Sequence, residues 1–334
     1  MDPDEEIEID FSPFLVMYKS GRVQRFGSMS RKSAGTDATT GVTSKDVVID
    51  AGTGLAARLF LPSGVSGSQK LPVLVYFHGG GFVTESAFSP RYTSYVNALV
   101  AAARVVAVAV EYRLAPEHPL PAAYDDAWAA LCWTVASCVP GGAEPWLADH
   151  GDSTRLFVAG SSSGGNVAHN VVMRAGKGGL PRIEGMVLLH PLFMGKAPVP
   201  SEGTDPASPE IAQRNWRFVC AGKYGIDHPC INPLAMPPEE WAALGCRRVL
   251  VTTAELDRVR DRGRKYVEAL RGSTWGGEEA ALHETEGENH QYYFQRGARS
   301  DPVVAAKAAN EMAAVAAFIK RGTRASDCNI KSAL

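Results

Sequence analysis

The sequence predicts an α/β fold: a mostly parallel sheet covered by helices on both faces, with a small N-terminal appendage. Three observations carry that reading. Short runs rich in Val and Leu recur along the chain, among them "LPVLVYF", "RVVAVAVEY", "TRLFVAG", "EGMVLLH" and "RRVLVTTAE". They are nearly continuous in apolar residues rather than alternating, as strands buried on both faces are. The segments between them are long enough to hold crossover helices. With 334 residues, 45% of them hydrophobic, the chain can bury a large core.

The elements follow in order. An acidic opening, "MDPDEEIEID", leads into the amphipathic "FSPFLVMYKSGRVQRF" and then the polar, Ser/Thr/Gly-rich "GSMSRKSAGTDATTG". We assign residues 1–45 to this segment and its linker, 46–322 to the main domain and 323–334 to a tail. "DVVID" and "AARLFLP" read as two strands, and the "AGTG" between them has hairpin chemistry. The apolar runs above follow, then "ALHETEG" as the last strand. Helices are expected over 90–103, 121–138, 166–175, 259–270 and 302–320, where small and apolar residues recur at helical spacing and leave the charges on the other side. The stretch 191–244 is Pro-rich and irregular, which suits an insertion or lid better than a separate domain.

Composition excludes several classes of function. The formal charge is -2 and there is no Lys/Arg run, which argues against a nucleic-acid partner. The N-terminus is acidic where a signal peptide is basic and then apolar. The longest apolar stretch, 98–110, is interrupted by Arg104 and is too short to span a bilayer. Six cysteines, at 132, 138, 220, 230, 246 and 328, show no C-x-x-C pairing and read as reduced thiols, giving a cytoplasmic or also nuclear setting as the expectation. Neither dinucleotide nor P-loop glycine patterns occur, nor H-E-x-x-H or a Cys/His cluster. No cofactor and no metal are expected. A monomer and a homodimer are equally compatible with the sequence.

The chemistry starts at "LFVAGSSSGGNVAHNVVMRA". Read as strand, turn and helix, it holds G-x-S-x-G from Gly160 to Gly164, with Ser162 at the tip of a tight turn at the carboxyl end of a strand. Earlier, "YFHGGGF" places three glycines directly after a buried strand. Acyl transfer generates an oxyanion, best stabilised by backbone N–H groups that no side chain obstructs. The N–H groups of Gly80, Gly81 and Ser163 are therefore the expected oxyanion hole, with His78 bracing the loop. A serine needs a base and the base an orienting carboxylate, expected in the chain order Ser, Asp or Glu, His. Asp257 follows "RRVLVTTAEL", and His290 is the one histidine after the final strand and before the final helix. Asp261 and Glu255 are rivals to Asp257, which is preferred because Asp261 falls a helical turn later.

The runs "VYFHGGGF", "VAVEYRLAPEHPLPAAYDDAWAAL", "GSSSGGN", "ELDRVRDRG" and "GENHQYYF" resemble the plant carboxylesterases of the hormone-sensitive-lipase group of α/β-hydrolases. The likeness covers essentially the whole chain and extends to tuliposide-converting esterases, 2-hydroxyisoflavanone dehydratases and gibberellin receptors. It implies a serine carboxylesterase that attacks small-molecule esters with Ser162, His290 and Asp257 through an acyl-enzyme. The receptors of the group have lost the catalytic histidine, which His290 retains here, and the dehydratases often carry threonine where Ser162 stands. The family's usual G-D-S-A-G-G is "GSSSGG" here, with Ser161 in place of Asp. The resemblance also implies that the N-terminal segment caps the pocket, although Phe14, Leu15, Met17 and Tyr18 equally suit an ordinary amphipathic helix packed on the body. Phe82, Phe193, Met194 and Tyr18 are the pocket candidates. A small-molecule receptor, a dehydratase and an intramolecular transacylase are the alternatives on the same fold.

Overall fold

The computed structural model describes residues 2–26, 29–203, 208–295, 297–298 and 300–321. The tail assigned to 323–334, with Cys328, lies outside them. At the N-terminus three short strands, β1 (Ile7–Phe11), β2 (Leu15–Tyr18) and β3 (Val23–Arg25), form an antiparallel sheet, not the amphipathic helix that is one of the two readings of this segment. The reason is local. Pro13 and Gly21, the latter at φ +83°, leave too few residues between them for a stable helix, and each sits at a hairpin turn.

The main sheet contains β4 (Thr43–Asp50), β5 (Leu55–Leu61), β6 (Leu71–Phe77), β7 (Val106–Glu111), β8 (Gly151–Ser161), β9 (Ile183–Leu189), β10 (Cys246–Ala254) and β11 (Glu279–Thr285), in the spatial order β11-β10-β9-β8-β6-β7-β5-β4. From β7 to β11 all pairings are parallel, while β4 and β5 form the antiparallel hairpin expected at "AGTG". Alternate residues of β6 face opposite layers. Val73, Val75 and Phe77 join one core cluster, Leu74 and Tyr76 the other.

Helix α1 (Pro90–Ala103) and the last helix, Pro302–Arg321, pack together on one face. On the other lie α2 (Ala122–Ser137) with α3 (Pro145–His150), α4 (Ser163–Gly176) and, after α5, α6 (Arg260–Arg271). Helix α5 (Ser208–Val219), inside the stretch expected to be irregular, buries only Trp216 and Val219, which share one face of the helix. The last helix, α7, is the one described helix apolar and long enough to cross a bilayer, but its Val315, Phe318 and Ile319 are buried in the core under α1. Cys132, Cys138, Cys220, Cys230 and Cys246 are free thiols.

Register positions the site. Phe77 of β6 pairs with Gly160 of β8, and Leu189 of β9 with Ser161 and with Thr252 of β10. The loops after β6, β8, β9 and β10 thus open at one edge, the carboxyl end of the parallel strands, where ligands of open α/β sheets bind.

Candidate active site

Between β8 and α4, Ser162 adopts φ 52°, ψ −117°, a conformation that costs a non-glycine residue about 1–3 kcal/mol and needs its surroundings to hold it. Those surroundings are tight. A Cβ on Gly160 would lie 2.0 Å from the Gly164 carbonyl oxygen, and one on Gly164 would lie 2.2 and 2.3 Å from those of Phe77 and His78. Only glycine lets the turn close. The Ser162 N–H donates to the Leu189 carbonyl at 2.8 Å, tying the turn to β9.

The loops after β10 and β11 bring Asp257 and His290 to this serine. His290 Nε2 is 2.9 Å from Ser162 Oγ, and its Nδ1 is 2.7 Å from Asp257 Oδ2. The other carboxylate oxygen of Asp257 accepts the Val259 N–H at 3.0 Å. Burial works against the charged form of Asp257, yet hydrogen bonds from His190 and His290 outweigh it and hold the carboxyl well below the usual carboxylate range. Neutral His290 with its proton on Nδ1 therefore has an acceptor there and presents a lone pair to the serine hydroxyl. Neither rival carboxylate reaches the imidazole: Asp261 accepts from Arg260 Nε at 2.8 Å and the Ser201 N–H at 2.9 Å, and Glu255 accepts the Gly287 N–H at 2.7 Å.

The glycine loop stands opposite. Gly80 and Gly81 have φ +113° and +63°, and among the described residues neither their N–H groups nor that of Ser163 has an acceptor. Ser163 is the first residue of α4, so the positive end of that helix adds to its N–H. The loop is braced on several sides. The Gly79 N–H donates to Tyr92 Oη at 2.8 Å, and Tyr112 Oη donates to the His78 carbonyl at 2.7 Å. The His78 ring stacks on Tyr112 at 4.2 Å, its Nδ1 donates to the Gly79 carbonyl at 2.8 Å, and burial pushes its pKa down to about 4, so it is neutral. Ser161 turns its buried hydroxyl to that of Tyr76, away from the cleft.

A cleft of about 680 Å³ adjoins Ser162 and His290. Phe11, Phe14, Phe82, Leu192, Met194 and Trp216 supply its apolar wall, and Glu85, Arg91 and Asn289 its polar one. Of the four pocket candidates, Phe82 and Met194 line this cleft. Phe193 does not, because its ring stacks on Tyr266 at 5.1 Å and borders a neighbouring cavity instead. Tyr18 lies elsewhere on the N-terminal sheet, its hydroxyl on Gln24 Oε1 at 2.8 Å and Arg22 over its ring. Phe11 and Phe14, flanking the β1–β2 turn, reach the cleft in its place.

Sequence reasoning passed over His190. It is fully buried at φ 47°, with Nδ1 3.2 Å from Asp257 Oδ2 and Nε2 3.3 Å from Glu311 Oε1. His190, Asp257 and His290 present ligand atoms close enough to hold a metal ion, but those atoms are already engaged with one another, Asp257 Oδ2 facing both rings.

A mostly parallel sheet with this strand-turn-helix serine at its carboxyl edge defines an α/β hydrolase. The chain belongs to that family: the model of the alpha/beta hydrolase fold matches residues 74–294. It is a carboxylesterase-type hydrolase acting on esters. Over 292 residues, 87% of this chain and 74% of the relative, it is 47% identical to tuliposide A-converting enzyme 2, chloroplastic, of Tulipa gesneriana. It is 44% identical to 2-hydroxyisoflavanone dehydratase of Glycyrrhiza echinata, over 86% of this chain and 90% of that one. Among solved structures, a thermostable esterase from Pseudomonas putida superposes with a TM-score of 0.69 at 26% identity, covering 86% of this chain and 85% of the other. The cytoplasmic or nuclear expectation is corrected by these relatives, since the similar tulip enzymes are chloroplastic and amyloplastic. Reduced thiols do not separate cytosol from plastid stroma.

Proposed function

We propose that the protein is a serine carboxylesterase of small-molecule esters in which Ser162 is the nucleophile, His290 the general base and acid, and Asp257 the group that orients His290. The observation that carries this reading is the unbroken line Ser162 Oγ, His290, Asp257 at 2.9 and 2.7 Å beside three uncommitted backbone donors. As Ser162 attacks the ester carbonyl, its proton passes to His290 Nε2. The Gly80, Gly81 and Ser163 amides receive the oxyanion, His290 then protonates the leaving alcohol, and water releases the acid by the same route. Phe82, Met194, Trp216, Phe11 and Phe14 hold the apolar part of the substrate, with the β1–β2 turn acting as part of a cap. The chloroplastic and amyloplastic relatives favour a plastid as its place of work.

Hydrolysis of p-nitrophenyl acetate and butyrate by the purified protein tests this. Ser162→Ala and His290→Ala should each lower kcat by at least about a thousandfold. Parent activity that survives Ser162→Ala would overturn the assignment. Product mass on a natural ester separates transfer to water from elimination or internal acyl transfer.

A further inference from the structure

Asp257 is shared between two histidines. Its Oδ2 faces His290 Nδ1 at 2.7 Å and His190 Nδ1 at 3.2 Å. The other ring nitrogen of His190 faces a second carboxylate, Glu311, at 3.3 and 3.5 Å from its two oxygens. Glu311 is itself buried in α7 and accepts from Thr252 Oγ1 at 2.8 Å, Tyr292 Oη at 3.0 Å and Thr285 Oγ1 at 3.4 Å. An imidazole satisfies two carboxylates only when both nitrogens carry protons. The Gln291 N–H also approaches His190 Nδ1, at 3.4 Å, but the shorter and charge-assisted contact to Asp257 decides the protonation of that nitrogen. Two buried carboxylates without a cation between them would repel each other in a low-dielectric site.

We propose that His190 and Glu311 form a second, charged histidine–carboxylate pair behind the Ser162–His290–Asp257 line, and that His190 is a positioning residue which fixes Asp257 and holds a positive charge beside His290. This rests on the serine-esterase reading above. The backbone supports the role. His190 sits in the left-handed region, held there as its N–H donates to the Thr252 carbonyl at 2.9 Å, which places the ring between β10 and α7. The rings of His190 and His290 are 5.8 Å apart and nearly perpendicular. A positive charge at that distance lies beside the ring that takes the serine proton, where a second cation meets Coulomb repulsion. The groups facing His190 are Asp257 from the loop after β10, Glu311 from α7, and His290, Tyr292 and Tyr293 from the loop after β11. Burial disfavours the charged imidazole, but attraction to Glu311 and the bonds to Asp257 and Glu311 outweigh it and lift its pKa to about 9.

Glu311→Gln tests the pair. The amide oxygen can still accept from Thr252 and Tyr292, but the counter-charge is gone and His190 should lose its proton near neutrality. The sign follows from the lost charge: with no cation behind the general base, the acid limb of kcat/KM should move to higher pH, by at least about half a unit. Glu311→Asp, which keeps the charge, should restore the limb towards the parent position, and Tyr292→Phe, which removes one bond to Glu311 but no charge, should leave it in place. Long-range 15N–1H spectra of the unmodified protein provide a readout independent of activity. Both His190 nitrogens should be protonated at about pH 7.5, and only one of them in Glu311→Gln. A singly protonated His190 in the unmodified protein, or an unmoved limb in Glu311→Gln, would overturn the proposal. Loss of Ser162 dependence would instead sink the esterase reading, leaving the spectra to decide the charge of His190.

Discussion

Gly80 and Gly81 stand side by side in the oxyanion loop but differ in what a side chain would meet. A methyl on Gly80 would lie 2.1 Å from the Thr84 carbonyl oxygen, which itself lies in the turn closed by the Val83 and Thr84 N–H groups donating to the Gly80 carbonyl. On Gly81 the nearest atom would be Val83 Cγ2 at 3.9 Å, and only the positive φ resists substitution. Gly80→Ala should therefore displace the loop and cost kcat/KM on p-nitrophenyl butyrate about a hundredfold or more, the usual consequence of losing an oxyanion donor. Gly81→Ala, which bears about 1–3 kcal/mol of backbone strain without a clash, should be milder. Equal losses in the two variants, measured with intact folding by circular dichroism, would mean that the Gly80 clash is not what fixes the loop. At this scale the sequence was most informative. Glycines around the tight turn at Ser162 are demanded by local geometry, and the three residues picked out by chain order, Ser162, Asp257 and His290, lie within hydrogen-bonding distance of one another in turn. His190 and Glu311 were not legible, because they lie 121 positions apart and only the fold makes them neighbours.

The element that sequence patterning leaves undecided is the N-terminal segment, and the ambiguity has a physical cause. "FLVMY" is apolar on both strand faces and, cut off from its neighbours, serves a helix or a strand equally; Pro13 and Gly21 settle the matter through the turns they make. Helix α5 escaped for a different reason: Ala212, Trp216 and Val219 do recur at helical spacing, but within a Pro-rich stretch read as irregular throughout. Both supply the cleft, and they touch, with the rings of Phe11 and Phe218 5.3 Å apart. One side chain fastens this sheet to the body. Arg25 of β3 donates through Nε to the Val83 carbonyl at 2.6 Å and through Nη2 to that of Ala115 at 3.1 Å, and it also pairs with Glu117. Val83 belongs to the glycine loop after β6, so the N-terminal sheet and that loop share an anchor. Arg25→Ala should leave kcat for p-nitrophenyl acetate within about threefold while raising KM for bulkier esters by roughly tenfold, about 1.4 kcal/mol of lost substrate binding. A KM unchanged across acyl chain lengths would show that the N-terminal sheet does not act as a cap.

Taken as a whole, the molecule buries histidines of two kinds, and they predict the shape of its stability with pH. His78 and His169 are buried without a hydrogen bond to a carboxylate, the Glu111 carboxylate lying 4.0 Å from His78 Nε2, and burial pushes their pKa values down to about 4 and about 3. His169 rests its Nδ1 on Tyr266 Oη at 3.0 Å, among the rings of Phe193 and Trp241. Both stay neutral in the folded state while the unfolded chain takes up protons below about pH 6.5, so their contribution is full above that value and shrinks as the pH falls towards 4. His190 does the reverse. Its folded pKa lies above the unfolded one, so its contribution is full below about 6.5 and shrinks as the pH rises through 9. The carboxylates Asp257 and Glu311, both held low once the pull of His190 and its hydrogen bonds overcomes their burial, add a further loss only below about pH 4. The melting temperature should therefore peak near pH 6.5 and decline on both sides below pH 9, each displaced histidine contributing on the order of 3 kcal/mol across its full range. The two limbs have separate owners. Glu311→Gln should flatten the alkaline limb, whatever it does to the maximum, because an uncharged His190 no longer releases a proton on unfolding between pH 6.5 and 9. His169→Gln should leave the alkaline limb intact and make the acid one shallower. Thermal melts at half-unit intervals from pH 4 to 9 check both, and an alkaline limb that persists unchanged in Glu311→Gln would show that some group other than His190 sets it.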